Sequence, residues 1–541
     1  MSSAPKASES SASGSVGEHE RRTLAGRAGI VGAGTLVSRL LGLARDQTLA
    51  ALFSRGETDM FWVAFTLPNA LRSLLAEGAT ASAVVPVLAK VRAEEGDDAA
   101  RHFFSRMRGA SFLALAVVTV LGIAGAPWLV ELFAGGLHAR PGAFERTVLL
   151  TRWVFPYIFF MGTAALGMAA LNTYGRFVAA AFAPGLLNVA FIAAAFALPG
   201  MLVAIGADPI LALAIGALVG GALQVVAQWP SLARIGFASR PRLDFRDPRV
   251  RDALSRLVPM MAGVGVYTID LVLSRRFLSE LPEGSQSYFS WAMRLCDFPQ
   301  GIFVLALQAA TLPSLSKLVA QKHFDEVSKT YAYGMRLTLF VAIPATALFA
   351  VISRPLVVAI FERGAFDPTS SNETARALLA QGLGIWTVAA TRQLLPVFYA
   401  MGDVRTPVVV SALDLIAFIV TALTLRAPLG HVGISIAVSA SSAVQMLLLW
   451  MGLGKRLPSL RLGEIGLAAA RTGAASLIAA VAAYAVAEGM VKVGLARHLP
   501  GVLGGLAFVL VFFLSAWMLR SSELAAILAP IRRRRRERAG R

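Results

Sequence analysis

Residues 34–46 read "GTLVSRLLGLARD", which places two arginines and an aspartate inside a stretch otherwise apolar enough to cross a bilayer. Helical spacing resolves the conflict. Thr35, Ser38, Arg39, Gly42, Arg45 and Asp46 fall on one stripe of a 3.6-residue helix, whereas Leu36, Val37, Leu40, Leu41 and Leu43 lie off it. The charged stripe is expected to face a protein-lined cavity and the leucines lipid, because an unshielded arginine at the bilayer centre costs at least roughly 2.5–3.5 kcal/mol on insertion scales. Such residues mark a functional path more often than a plain anchor.

Working outward, the whole chain has lipid as its solvent. Its 541 residues are 56% hydrophobic and only 15% charged, with a mean hydropathy of +0.65, too apolar for a soluble chain. Apolar runs of crossing length recur about fourteen times, which predicts an all-α polytopic membrane protein. The net charge of +19 does not point to nucleic acid, because its placement follows the positive-inside rule. With a cytoplasmic N-terminus, the inward loops hold Lys90, Arg92, Arg101, Arg106 and Arg108, then Arg234, Arg240, Arg242, Arg246, Arg249 and Arg251. Outward loops such as "LPGMLVAIGADP" and "SELPEGSQ" are nearly free of Lys and Arg. Both termini are therefore expected in the cytoplasm.

Residues 1–23 form a Ser-rich arm of mixed charge without an apolar core, which reads as disordered and not as a signal peptide. The tail "IRRRRRERAGR" reads as a topological anchor, with anionic lipid as an alternative partner. One cysteine, Cys296, excludes an internal disulfide, and the six histidines lack metal-ligand spacing.

The chain also resembles itself. "PVLAK" at 86–90 matches "PSLSK" at 313–317, "LLNVAFI" from Leu186 matches "LDLIAFI" from Leu413, and Gly175 matches Gly402, all at a common offset of roughly 227 residues. Two parallel six-helix lobes are predicted, 24–230 and 251–456, related by an axis along the membrane normal, an arrangement that places substrate between halves. Residues 464–521 add two spans outside the repeat, and 522–541 form the basic tail.

Two more spans carry polar stripes. In "LPNALRSLLAEGATAS", Asn69, Arg72, Ser73, Ala76 and Thr80 share a face beside the helix-kinking Pro68. In span eight, Ser287, Ser290, Arg294, Asp297, Gly301 and Gln308 are spaced by three or four residues or their sums. An arginine-lined cavity suits an anion, and a diphosphate matches several guanidinium forks best. The alternative is structural: Arg39, Arg45, Arg72 and Arg294 pair with Asp46, Asp59, Glu77 and Asp297.

The stretches "GTLVSRLLGLARDQTLAALF", "TDMFWVAFTLPNALRSLLAEGATASAVVPVLAK", "FAPGLLN", "SWAMRLCDFPQGIF" with "LPSLSK", and "PLGHVGIS" closely resemble the MurJ (MviN) lipid II flippases of the multidrug/oligosaccharidyl-lipid/polysaccharide (MOP) exporter superfamily. The resemblance runs from about Leu24 to the end of the chain. It implies a transporter, not an enzyme, with fourteen spans, alternating access, and movement of an undecaprenyl-diphosphate-linked disaccharide-pentapeptide from the inner to the outer leaflet of the bacterial cytoplasmic membrane. Lipid II and membrane lipids are the implied partners of a monomer, and the last two spans are implied to shape a groove for the lipid tail. Carried over by motif, Ser38, Arg39, Arg45, Arg72, Ser287 and Arg294 bind substrate, and Asp46, Asp59 and Glu77 line the cavity or its gate.

Energy coupling departs from the pattern. Some members bind sodium through groups on spans seven and eleven, where this chain has Asp270 and Asp414 about one turn before the expected places, held by Ser274 and Phe418. Asp270 is alternatively expected to pair with Arg275 or Arg276. No cofactor is expected, and the membrane potential is a candidate driver at roughly 2.3 kcal/mol per charge per 100 mV. The competing functions are a flippase for another polyprenyl-diphosphate-linked oligosaccharide, an antiporter for cationic drugs, which arginines in the cavity disfavour, and a membrane sugar transferase, for which no paired acid/base motif is present.

Overall fold

The computed structural model describes residues 32–72 and 79–529; the Ser-rich arm, Ser73, Ala76, Glu77 and the basic tail from residue 530 lie outside them. The described residues are mostly helical, with no strand among them. In chain order the helices are α1 (residues 32–52), α2 (Arg55–Arg72), α3 (Ala79–Ala124), α4 (Ala126–Ala134), α5 (Ala143–Val154), α6 (Tyr157–Thr173), α7 (Phe177–Ala204), α8 (Leu211–Arg234), α9 (Pro248–Ser279), α10 (Ser285–Pro299), α11 (Leu305–Ala320), α12 (Phe324–Phe361), α13 (Pro368–Gly382), α14 (Ile385–Ala400), α15 (Arg405–Leu429), α16 (His431–Gly454), α17 (Leu462–Lys492) and α18 (Leu499–Met518). A short helix at 522–529 follows. Helix α3 is two helices meeting at Gly96, whose φ of 90° is open to glycine and strained for other residues.

Among the described residues, nine helices are long and apolar enough to cross a membrane on those grounds alone. Of the other crossing-length stretches, α1 and α2, α10 with α11, and α13 with α14 depart from a plain apolar helix for reasons visible in their residues. Helices α1 and α2 carry Arg39, Arg45, Asp46, Asp59 and Arg72. A π-helical turn at Gln300–Val304 separates α10 from α11, and Leu383 and Gly384 separate α13 from α14. Charge and backbone irregularity are tolerated at membrane depth where protein covers them or where they line a water-filled cavity. The opposite surface is plain: α15 exposes Val408, Val409, Leu413, Ile416 and Val420, as expected when the surrounding solvent is lipid.

The chain packs as two units whose boundaries differ from the repeat boundary. Unit 1 comprises the chain up to Asp46 with Ala64–Ala126 and Leu149–Val264; unit 2 comprises Gln47–Val63, Pro127–Val148 and everything from Gly265 on. In unit 1, Val84, Leu88, Phe103, Phe104, Leu166 and Phe237 form a buried core, with Phe104 and Phe237 edge to face at 4.7 Å. In unit 2, one core gathers Tyr331, Met335, Leu394, Phe398 and Leu449. A second joins α12, α17 and α18 through Phe340, Ile352, Ala475, Ala479, Ala483, Phe508 and Phe512. The α17–α18 seam is built from small residues: a Cβ at Gly504 would sit 3.2 Å from the carbonyl of Ala483, and one at Gly501 would strike the Pro355 carbonyl of α12.

Candidate functional site

In unit 1, the stripe read from the sequence is held from behind. Asn188 of α7, the last residue of "FAPGLLN", donates its side-chain amide to the Ser38 carbonyl at 3.0 Å. A Cβ on Gly42 would lie 3.7 Å from the same amide, so the two helices approach closely there. Ser38 and Arg39 are half-buried. Arg45 is buried and turned onto its neighbour, donating from Nε at 2.9 Å and Nη2 at 2.7 Å to one Asp46 oxygen, with its guanidinium 5.4 Å from the Phe191 ring centroid. The structural pairing named as an alternative for Arg45 is therefore present. On α2, Arg72 donates from Nε to Asn69 Oδ1 at 3.0 Å and is half-buried.

In unit 2, span eight separates residues that one stripe had grouped. Ser287 is 1% exposed and meets Asp59 instead of an open surface. Ser290 is buried and donates to the Gln286 carbonyl at 2.6 Å while accepting from Arg275 at 2.8 Å. Arg294 and Asp297 remain half-buried.

Asp59 is the centre of the best-defined polar cluster. Its carboxylate, 0% exposed, accepts from the Gly284 and Ser287 amides at 2.8 Å each, from the Ser287 hydroxyl at 2.8 Å, and from Arg140 Nη1 at 3.1 Å. The hydroxyls of Thr58 and Ser287 lie 2.7 Å apart, and Arg140 Nη2 donates to the Leu281 carbonyl at 2.8 Å. Physically this is a helix cap supplied from afar. Gly284, at φ 96°, is the N-cap position of α10 and has no side chain to cap it; Asp59 satisfies the free amides and places negative charge at the positive end of the helix. Sequence reading singled out Asp59 and Ser287 separately and missed Arg140 and Gly284. A glycine immediately before a Ser-rich helical start was the available signal.

The pairing of Asp270 with Arg275 or Arg276 is corrected. Arg275 is buried and donates to Gln286 and Ser290 at 2.9 and 2.8 Å, and Arg276 engages the Glu131 carbonyl at 3.0 Å and Glu280 at 3.4 Å. Asp270 instead lies near enough to Asp414 for their charges to interact, with Ser441 of α16 beside Asp414. Ser274 and Phe418 are buried, the latter in an apolar core. Among the described residues no group of three or more His, Cys, Asp or Glu side chains is placed to hold a metal ion.

Known proteins share this fold. An inward-facing multidrug resistance MATE family transporter of the MOP superfamily superposes with a TM-score of 0.66 at 13% identity, covering 78% of this chain and 95% of that one. A lipid II flippase MurJ in an inward closed conformation superposes with a TM-score of 0.74 at 22% identity, covering 91% and 98%. The fold is thus the one shared by these two polytopic membrane proteins. The family model for lipid II flippase MurJ matches residues 49–502. The lipid II flippase MurJ of Burkholderia cenocepacia is 38% identical over 428 residues, 78% of this chain and 82% of that protein. The probable lipid II flippase MurJ of Vibrio cholerae is 35% identical over 432 residues, with the same coverage. The chain belongs to the MurJ lipid II flippase family.

Proposed function

We propose that this chain moves lipid II, the undecaprenyl-diphosphate-linked disaccharide-pentapeptide, from the inner to the outer leaflet of the bacterial cytoplasmic membrane by alternating access. The observation that carries this reading is the family match across residues 49–502, a range that takes in Asp59, Arg72, Ser287 and Arg294. In this reading the protein works as a monomer with both termini in the cytoplasm. Arg39, Arg72 and Arg294 recognise the diphosphate, because a dianion leaving water needs donors that replace its hydration without supplying a hydrolytic base. Arg45 supports them from its pair with Asp46. The repeat lobes 24–230 and 251–456 provide the alternation, and 464–521 the lipid-tail groove.

The Asp59 cluster is the outer latch. It closes when the carboxylate caps α10 and opens when that cap is withdrawn, so each cycle breaks and remakes one charged hydrogen-bond cluster. Asp270 and Asp414 with Ser441 are the place for a coupling cation, sodium being the candidate, and the membrane potential is the other source of drive.

The test is a lipid II leaflet assay in cells depleted of the resident flippase, with Arg39, Arg72 and Arg294 each changed to Ala and to Lys. Alanine variants that insert normally are expected to lose flipping. Lysine is expected to rescue poorly, since it lacks the planar fork that meets two phosphate oxygens together. Normal translocation by all three alanine variants at normal expression overturns the assignment of these residues.

A further inference from the structure

The linker between α8 and α9, residues 235–247, sorts its charges by side. Its two aspartates are consumed internally. Arg106 of α3 reaches Asp244 at 3.1 Å and Asp247 at 2.6 Å, and Arg249 binds Asp247 at 3.0 Å and Glu95 at 2.8 Å. The Arg249 and Arg106 guanidiniums hold the Asp247 carboxyl well below the usual carboxylate range. Facing outward, Arg240, Arg242 and Arg246 are exposed, as are Arg234 just before the linker and Arg251 just after it. Asp252 follows Arg251 in the sequence and is also exposed. Between these arginines Leu243 is 61% and Phe245 46% exposed.

Three markers set the depth of this segment. The Arg242 amide donates to the Ser105 carbonyl at 3.0 Å, the Ser105 hydroxyl donates to the Arg240 carbonyl at 2.5 Å, and Gly109 abuts the Arg242 carbonyl. In α3 the charged run "RHFFSRMR" ends at Arg108 and the apolar run begins at Gly109, so the linker is fixed where α3 passes from water to hydrocarbon. Helix α8 ends in exposed Arg234 with exposed Trp229 about one turn deeper, an arrangement characteristic of a membrane interface. Helix α9 departs at Pro248 on the same side. An exposed Leu and Phe flanked by arginines at that depth have the composition of a segment lying in the headgroup layer.

We propose that residues 240–251 form a binding site for anionic phospholipid, with Leu243 and Phe245 inserted among the acyl chains' upper carbons and Arg240, Arg242 and Arg246 on the phosphates. A soluble acidic partner fits less well, because the apolar pair sits at the hydrocarbon boundary and not on a surface standing clear of it. The site is distinct from the Asp59 cluster and from the arginines of spans one, two and eight, so its test reads lipid and not transport.

The experiment uses the full chain with a spin label on Leu243→Cys, and separately on Phe245→Cys, in nanodiscs of phosphatidylcholine alone or with phosphatidylglycerol; native Cys296 is buried and contributes little label. Both labels are expected to be shielded from a water-soluble relaxation agent, more strongly with phosphatidylglycerol present. The triple variant R240Q/R242Q/R246Q is expected to retain phosphatidylglycerol on the purified protein about tenfold less well than the unmodified chain, read by native mass spectrometry. Labels that stay fully water-exposed in both compositions, as an acidic protein partner would require, overturn the proposal. So does undiminished phosphatidylglycerol retention by a folded triple variant.

Discussion

Helices α2 and α10 are the corresponding second helices of the two sequence repeats, and their N-termini are finished in opposite ways. At α2 the cap is local: the Glu57 carboxylate accepts from the Ser54 amide at 2.8 Å, and the Ser54 hydroxyl accepts from the Glu57 amide at 3.3 Å, a reciprocal capping box. At α10 the local position is a glycine without a cap, and the acceptor is Asp59, 225 residues away from Gly284 in sequence. A terminus that caps itself stays capped in every conformation. A terminus that borrows its cap is capped only while the lender is present, which is the property a gate needs. The difference separates a helix end capped within its own turn from one whose cap comes from a distant helix.

Removing the borrowed cap should have the largest effect. Asp59→Ala leaves two buried amides and the Arg140 guanidinium without their acceptor, a loss of roughly 3–5 kcal/mol for a broken buried charged cluster. Expected outcomes are strong thiol labelling, from the outer side, of a cysteine at the buried Ser285 position, and collapse of lipid II transport. Labelling at the unmodified level would dismiss Asp59 as the latch. Arg140→Met comes next, at roughly 1.5–3 kcal/mol for a hydrogen bond to a charged group. The Gly284 and Ser287 donors remain, so the same label should rise less and transport should fall in part.

Ser287→Ala sharpens the comparison. The Ser287 amide still reaches Asp59, so only about 1 kcal/mol is lost, or roughly a fivefold rise in labelling. A transport defect with unchanged labelling would instead assign the hydroxyl to substrate. The smallest effect on the gate is expected from Ser54→Ala. It removes the self-made cap of α2, lowering thermal stability by about 1 kcal/mol while leaving the Ser285 label as protected as before.

What could be read from the sequence was what is written at short range. The α1 stripe follows from three- and four-residue spacing, and the membrane class follows from run lengths. The Arg45–Asp46 pair was foreseeable as an alternative because the residues are neighbours. Ser287 shows the limit: helical period says which residues share a face but not what that face meets, and Ser287 and Ser290 meet different partners, Asp59 and Arg275. Arg140 was invisible because it lies in a loop 81 residues from Asp59, with no periodicity to connect them. Asp270 paired with Arg275 or Arg276 was a reasonable short-range expectation, overturned because Gln286 and Ser290 of the following helix occupy Arg275 first.

The small-residue seam of α17 and α18 bears on how the molecule is made. Both helices are apolar enough to enter a bilayer without help, and Gly501 and Gly504 let α18 touch the backbone of α12 and α17. Contacts of this kind draw on shape and dispersion, with no hydrophobic force to drive them once the helices are in lipid. Docking of the α17–α18 hairpin on α12 therefore depends on how closely the backbones can approach, a requirement independent of the charge pattern that governs the arginine-bearing spans.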